Sequence, residues 1–241
     1  MTIVFPPVMT GGAPPITAVN FTDSTDKLER ATALSGAGNS NECTMSFWFR
    51  PTGLDTLDPM IFSVGSSLYV YRNESDDPTT ARRRVLSISS TPVFYYGSFA
   101  LALNTWTHCL VSWRTSGSNI LQAYFNDTVN TPQTLTLTTG TINFAATPSA
   151  LGRSVGGGPF LAGDVAEFWL TTSYIDLSVT DNRRKFIKAD GKPAYLGPTG
   201  GRPTGSSPLI YLKGPATNWG TNSGTGGNFA VTGTFTDATP P

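Results

Sequence analysis

The chain is poor in charge. Only 13% of its 241 residues are Asp, Glu, Lys or Arg, about half the usual ~25%. Sixteen basic side chains balance sixteen acidic ones, so the formal net charge is zero. A nucleic-acid binder needs a positive field and a basic stripe, and this balance argues against one. There is a single histidine, His108, and there are two cysteines, Cys43 and Cys109. That inventory does not assemble a zinc site. It also leaves any Ser/His/Asp or Cys/His nucleophile dependent on an imidazole held between Thr107 and Cys109 in an apolar run, where a structural role is expected. Glutamates number four: Glu29, Glu42, Glu74 and Glu167. Glycoside hydrolysis needs two carboxylates about 5–10 Å apart. The one local acidic cluster, Glu74-Ser-Asp76-Asp77-Pro78, reads as a solvated hairpin turn. No apolar run approaches the ~18–20 residues that span a bilayer, so no membrane partner is expected. The first twelve residues lack a basic n-region and Pro6-Pro7 interrupts their apolar stretch, so no secretory signal is expected either.

What is present is aromatic, glycine-rich and threonine-rich. The chain holds 14 Phe, 8 Tyr and 5 Trp, with 25 Gly and 18 Pro. Short apolar runs alternate with turn clusters from Val19 onward. In Met45-Ser-Phe47-Trp-Phe49 the odd positions share a face, while in Val165-Ala-Glu-Phe168-Trp-Leu170 both faces are partly apolar. Many such runs of five to eight residues predict strands, and their number and spacing predict a two-sheet antiparallel sandwich. Its inward faces are expected to hold Phe47, Phe49, Trp106, Leu110, Trp113, Phe125, Phe168 and Leu170. Cys43 and Cys109 read as reduced, buried thiols, with a cross-strand disulfide as the alternative.

Two segments break the pattern. Residues 1–17 are Pro/Gly/Thr-rich and read as an extended arm, ahead of one domain over 18–241. Ser178 to Gly191 reads as the one helix, near 178–190. Ser178 is its N-cap, Asp181 stands three residues later, Val179, Phe186 and Ile187 share a face, and Gly191 is the left-handed stop. A Gly/Pro-rich loop without period follows over 191–207, a length usually functional or docked, and then C-terminal strands over 208–235. Gly152-Arg-Ser-Val-Gly156-Gly-Gly158 is glycine-rich, but no helix follows it, so it is not a phosphate cradle. Arg82-Arg83-Arg84 reads as a solvated strand edge, with an acidic partner as the alternative.

Binding residues are sought among outward rings and loop oxygens. Tyr69 and Tyr71 point the same way, one ring of Tyr95-Tyr96 must face outward, and Trp219 sits in the loop Thr217–Asn222. Tyr69, Tyr71, Tyr96 and Trp219 are therefore the candidates for stacking on a sugar, although such rings equally anchor protein interfaces, the reading preferred on residues alone. Ile3, Val4, Phe5, Val8 and Trp219, with the 191–207 loop, are the candidate partner contacts. Asp23, Asp26 and Asp164 are the candidate calcium ligands, without a diagnostic spacing; no other cofactor is expected.

The ordered motifs Val19–Leu28, Thr44-Met-Ser-Phe-Trp-Phe-Arg-Pro51, Asn104-Thr-Trp-Thr-His-Cys-Leu-Val-Ser-Trp113, Gln122–Asp127 and Phe160–Leu170 resemble the concanavalin A-like lectin/glucanase superfamily, in its laminin-G-like form. The resemblance covers roughly residues 18–190 and implies an all-β jelly roll. Hydrolases of that superfamily carry a Glu-x-Asp-x-(x)-Glu strand. Glu74-Ser-Asp76 begins it, but Pro78 and Thr79 stand where the second Glu belongs, which implies a non-enzymatic member. The C-terminal part, Ala189–Phe229, resembles stand-alone laminin-G-like proteins of tailed bacteriophages and prophages. It implies a virion structural protein (a capsid decoration, head fibre or tail-associated protein), made in a host cytoplasm and located on the particle. Its partners would be other virion proteins and further copies of itself. The alternative is an adhesin that recognises a host cell-surface polysaccharide.

Overall fold

Alternation of large apolar and small polar residues drives the longest runs into strands whose two faces meet different surroundings. The computed structural model describes residues 14–21, 24–53, 58–75, 83–153 and 159–241. The early strands are β1 (Ala18–Phe21), β2 (Lys27–Arg30), β3 (Asn39–Ser40), β4 (Glu42–Pro51), β5 (Met60–Val64) and β6 (Leu68–Ser75). Next come β7 (Arg83–Ser89), β8 (Val93–Tyr96), β9 (Thr107–Arg114), β10 (Ile120–Phe125), β11 (Thr128–Val129) and β12 (Thr134–Leu137). Then follow β13 (Ile142–Asn143), β14 (Ser149–Leu151), β15 (Gly163–Thr171), the helix α1 (Thr180–Arg184), β16 (Ile210–Leu212), β17 (Ala230–Thr232) and β18 (Thr236–Ala238).

Among the described residues they form two large antiparallel sheets and a two-stranded patch. The first sheet runs β11-β10-β9-β4-β15-β1-β18, with β16 also on β15; the second runs β12-β8-β7-β6-β5-β14-β2-β17; β13 pairs β3. The protein is an all-β jelly-roll sandwich with one short helix, as the spacing of the runs predicts. The main core lies between the sheets. On β4 the residues Cys43, Met45, Phe47 and Phe49 enter it, and so do Trp113, Phe125, Phe168 and Leu170. Both cysteines are free thiols in that core. Burial pushes both thiols well above their ordinary pKa, so they pack as small apolar groups.

The expected core differs in two places. Leu110 lies on the other side of β9, in a second cluster with Trp169, Phe186, Leu196 and Tyr211. Trp106 is half-buried beside a third cluster with Trp48 and Ile187, and its Nε1 donates to the Thr239 carbonyl. The reason is a second layer. After β15 the chain folds back across the outer face of the first sheet, and the two-sided apolar pattern of β9 and β15 exists to receive it. Trp169 donates from Nε1 to the Gly200 carbonyl at 2.8 Å and meets Phe186 edge-on at 5.1 Å. The 191–207 loop thus docks on its own domain through Leu196, and its buried apolar residues are not a face for a partner.

The helix is shorter than the expected 178–190. It is capped by Val179, 46% exposed, with no side-chain cap bond. The Ser178 hydroxyl instead donates to Asp176 Oδ1, because an Asx-type turn competes for the same short side chain. Phe186 and Ile187 are buried, but in different clusters. Gly191 does adopt the left-handed conformation (φ +76°), closing a turn from Lys188 rather than a long helix. Glu74 also departs from expectation: β6 runs through Ser75, so Glu74 belongs to a strand, while Asp76 and Asp77 lie outside the described residues.

Candidate functional site

With the first sheet covered on both faces, the outer face of the second is the exposed one. Alternation along β6 sends Leu68, Val70 and Arg72 inward and leaves Tyr69, Tyr71 and Asn73 outward, each half-buried. On β8 the same parity buries Val93 and Tyr95 and turns out Phe94 and Tyr96. Between them β7 presents Ser87 and Ser89.

Register places these residues in two rows across the sheet. One runs Ser63, Tyr69, Ser89, Phe94, Thr136; the other runs Met60, Tyr71, Ser87, Tyr96, Thr134. Neighbouring strands stand about 4.8 Å apart, so the ring-bearing strands β6 and β8 are about 10 Å apart across a serine floor. Tyr71 and Tyr96 close over the second row, where Ser87 is fully buried, and leave the first row, with half-buried Ser89 between Tyr69 and Phe94, as a shallow trough. Its β6 wall borders a shallow cavity of about 210 Å³ lined by Asp58, Met60, Tyr69, Tyr71 and Ser89.

Polar groups sit at the end of the trough. The Tyr96 hydroxyl donates to Asn73 Oδ1 at 3.3 Å, and Asn73 Nδ2 donates to Asp58 Oδ2 at 3.4 Å. Burial, and then the negative charge of Asp58, raise the pKa of Tyr71, so its phenol stays a neutral donor at physiological pH. The arrangement combines aromatic faces, which accept C–H edges, with a carboxylate, an amide and hydroxyls that exchange hydrogen bonds.

Three of the rings singled out in the sequence, Tyr69, Tyr71 and Tyr96, therefore meet on one face. Phe94, Asn73, Asp58 and Ser89 join them. Parity could have found Phe94 and Asn73, since they share a face with Tyr96 and Tyr71, but the strand pairing that brings β8 beside β7 and β6 is not written in either run. Trp219 is elsewhere and buried, not in an open loop. It fills the core end-on to Phe21 (6.4 Å between centroids, near-perpendicular) and donates from Nε1 to the Gly214 carbonyl at 2.8 Å. Its loop folds inward because Phe21 and Phe235 form an aromatic floor that a solvated indole would leave open. It can neither stack on a ligand nor touch a partner. Ile3, Val4, Phe5 and Val8 lie outside the described residues.

The oxygen ligands considered for calcium are engaged in separate tasks. Asp164, fully buried, accepts from Asn20 Nδ2 and pairs with Arg50. Asp26 accepts the Thr234 backbone N–H at 3.1 Å. Asp23 lies outside the described residues. Among the described residues no group of three or more His, Cys, Asp or Glu side chains is placed to hold a metal.

Acid–base groups are likewise embedded. His108 is buried on the covered face of β9, shares a hydrogen bond with Ser46 Oγ through Nε2 at 2.9 Å and lies against Trp48. Burial pushes its pKa down to about 3, against a small opposing pull from Asp127. Glu42 accepts the Tyr174 backbone N–H, and Glu29 pairs with Lys27. Glu167 is the extra residue of a β-bulge in β15, at φ +52°, and accepts the Tyr211 hydroxyl. Burial raises its pKa against the opposing hydrogen bond from Tyr211 and the charge of Lys213.

The family Laminin_G_3, described as the Concanavalin A-like lectin/glucanases superfamily, matches residues 23–175. Among solved structures, a putative carbohydrate binding protein from Bacteroides ovatus superposes with a TM-score of 0.65 at 13% identity, covering 93% of this chain and 60% of that one. A native heptameric SAP-like pentraxin from Limulus polyphemus superposes with a TM-score of 0.51, also at 13% identity, covering 67% and 78%. At such identity these likenesses speak for the fold alone. No curated protein matches the chain.

Proposed function

The chain belongs to the Concanavalin A-like lectin/glucanases superfamily, and on that premise we propose that it is a non-catalytic carbohydrate-binding module that reads glycan chains along the outer face of its second sheet. The observation that carries this reading is the aromatic face on which Tyr69 looks across Ser89 to Phe94, flanked by Tyr71 and Tyr96, which close over Ser87. A sugar ring offers an apolar C–H face and equatorial hydroxyls. The tyrosine and phenylalanine rings take the first; Asp58, Asn73 and the phenol hydroxyls take the second. The Bacteroides ovatus protein, a putative carbohydrate binder of the same fold, supports the same class of ligand. A hydrolytic role finds less support. Glu29, Glu42 and Glu167 are each occupied by a different structural contact, and none of them lines the trough.

The test is a glycan array followed by calorimetry on the full chain. Millimolar-to-micromolar binding of some oligosaccharide is expected. Tyr71→Ala and Tyr96→Ala should each weaken it about tenfold, since one aromatic contact contributes roughly 0.5–1.5 kcal/mol beyond the area it buries. An array blank across neutral and acidic glycans refutes the reading. Residence on a bacteriophage particle, drawn from the resemblance of the C-terminal part, is compatible with this proposal, because an adhesin carried by a particle fills both roles.

A further inference from the structure

The layer that covers the first sheet contains a feature that the trough does not use. Beside it is a cavity of about 580 Å³, and four of the side chains lining it are the cations Arg184, Lys185, Lys188 and Arg202; among the described residues no acidic side chain lines it. The remainder is apolar or aromatic, with Tyr195 and Ile16 on the wall. In a chain whose total charge is zero and whose charged residues are scarce, four cations around one opening are a marked local excess.

These cations are not neutralised from within. Among the described residues Asp127 is the one carboxylate ion-paired with this group, and it is shared: Arg183 Nε and Arg184 Nη1 both approach it at 2.6 Å. Burial alone would push the Asp127 carboxyl up, but the two guanidiniums outweigh that and hold it below its ordinary value, so it stays ionised and anchors both. One negative charge against two guanidiniums still leaves an excess. Lys185 and Lys188 are exposed and have no carboxylate partner among the described residues, and Asp181 and Asp190 of the same segment do not line the cavity. Arg202 lies over the Tyr195 ring at 5.3 Å. Gly197, at φ +92°, leaves room for it, because a Cβ there would meet Arg202 Cγ at 3.2 Å.

The helix ends at Arg184 and the Lys188 N–H bonds the Lys192 carbonyl, so it is the shared cavity, not helical spacing, that gathers Arg184, Lys185, Lys188 and Arg202. Like charges gathered in this way repel. An anion with several oxygens would relieve the repulsion through charge-assisted hydrogen bonds, which are the stronger class. The mixed lining refines the ligand further. A bare inorganic anion would leave Tyr195 and Ile16 unused, whereas a ring that carries acid groups would use both halves.

We propose that this cavity is a second binding site, on the opposite face of the sandwich from the trough, for acidic saccharides bearing carboxylate or sulfate groups. It rests on the preceding reading only for the saccharide nature of the ligand. The two sites share no side chain, so their failures are distinguishable.

The experiment titrates the full chain with three probes by calorimetry at low and high salt: a sulfated uronate-containing disaccharide, the uncharged disaccharide cellobiose, and a short oligo-thymidylate. The sulfated disaccharide should bind, weaken with added salt, and lose about tenfold or more in affinity in the double variant Lys185→Ala/Lys188→Ala and in Arg202→Ala. Tyr71→Ala/Tyr96→Ala should leave that binding unchanged. Both lysines are exposed, so the double variant should unfold at the wild-type urea midpoint, which verifies that the fold is intact. No binding of the sulfated disaccharide, equal binding by the lysine double variant, or oligo-thymidylate binding as tight as the saccharide's would each overturn the proposal. Loss of binding in the tyrosine variant but not in the lysine variant would assign acidic sugars to the trough and overturn it as well.

Discussion

His108 makes the acid side of the stability curve predictable. It is the single histidine of the chain, and it is buried, neutral and bonded to Ser46. Its pKa falls from about 6.5 to about 3 on folding. As pH drops below about 6.5 the unfolded chain takes up a proton that the native state refuses until about pH 3, so the native state is progressively disfavoured across that window. The slope is about 1.4 kcal/mol per pH unit. At pH 5 the folded protein should have lost about 2 kcal/mol relative to pH 7.5, and near pH 3.5 about 4 kcal/mol, a large part of the ~5–15 kcal/mol available to a domain. Between pH 5 and 6.5 ordinary carboxylates do not titrate; Glu167, whose pKa burial raises, acts with the opposite sign but is common to wild type and variant, so the comparison between the two isolates His108. His108→Gln retains an amide able to bond Ser46 and carries no proton-linked charge. Urea unfolding at pH 7.5, 6 and 5 should show the wild-type midpoint falling and the variant's falling much less. If both proteins lose stability in parallel, or if the wild type holds constant to pH 5, the account of a desolvated imidazole is wrong.

Two further outcomes concern the packing of the core. Trp219→Ala removes a fully buried indole between the sheets and should cost roughly 3–5 kcal/mol in urea unfolding. Glycan affinity should be unchanged where the variant is still folded; a loss below about 1 kcal/mol would mean that the loop carrying Trp219 is not docked as described. Gly152→Ala places a Cβ 2.5 Å from the Phe21 ring at a residue with φ +88°. The strained backbone adds about 1–2 kcal/mol and the overpacking about 1–3 kcal/mol. A thermal midpoint equal to that of the wild type would contradict the close approach of β14 and β1.

Legibility varies with how local the cause is. The strands β4, β9, β10 and β15 can be read directly, because period-two alternation is a property of neighbouring residues. The buried thiols and the unused histidine follow for the same reason. Alternation places Leu110 on the wrong face because β9 is apolar on both sides, and a run of that kind does not say which side meets the opposing sheet. The capping pattern overextends the helix because Ser178 fits two local bonding patterns and Asp176, not the helix, receives its hydroxyl. Trp219 looks exposed in sequence because Gly/Asn-rich surroundings suggest an open loop, while its true neighbour, Phe21, lies almost two hundred residues away.

For the site the division is similar. That Tyr69 and Tyr71 share a face, and that Tyr96 and not both rings of its pair looks outward, is a consequence of parity along single strands. That β6 and β8 flank β7, so that four rings enclose two serines, depends on long-range pairing. The cationic cavity depends on it still more, since Arg202 meets Arg184 and Lys188 only after the 191–207 loop has docked on Trp169. Composition and alternation by themselves determined an all-β, charge-poor sandwich with its reactive groups buried, because burial preference acts residue by residue. Which outward faces stay open, and which side chains from distant strands share them, was decided only by the tertiary structure, because strand register and the return of the chain over the first sheet are set by the combined fit of surfaces remote from one another in sequence.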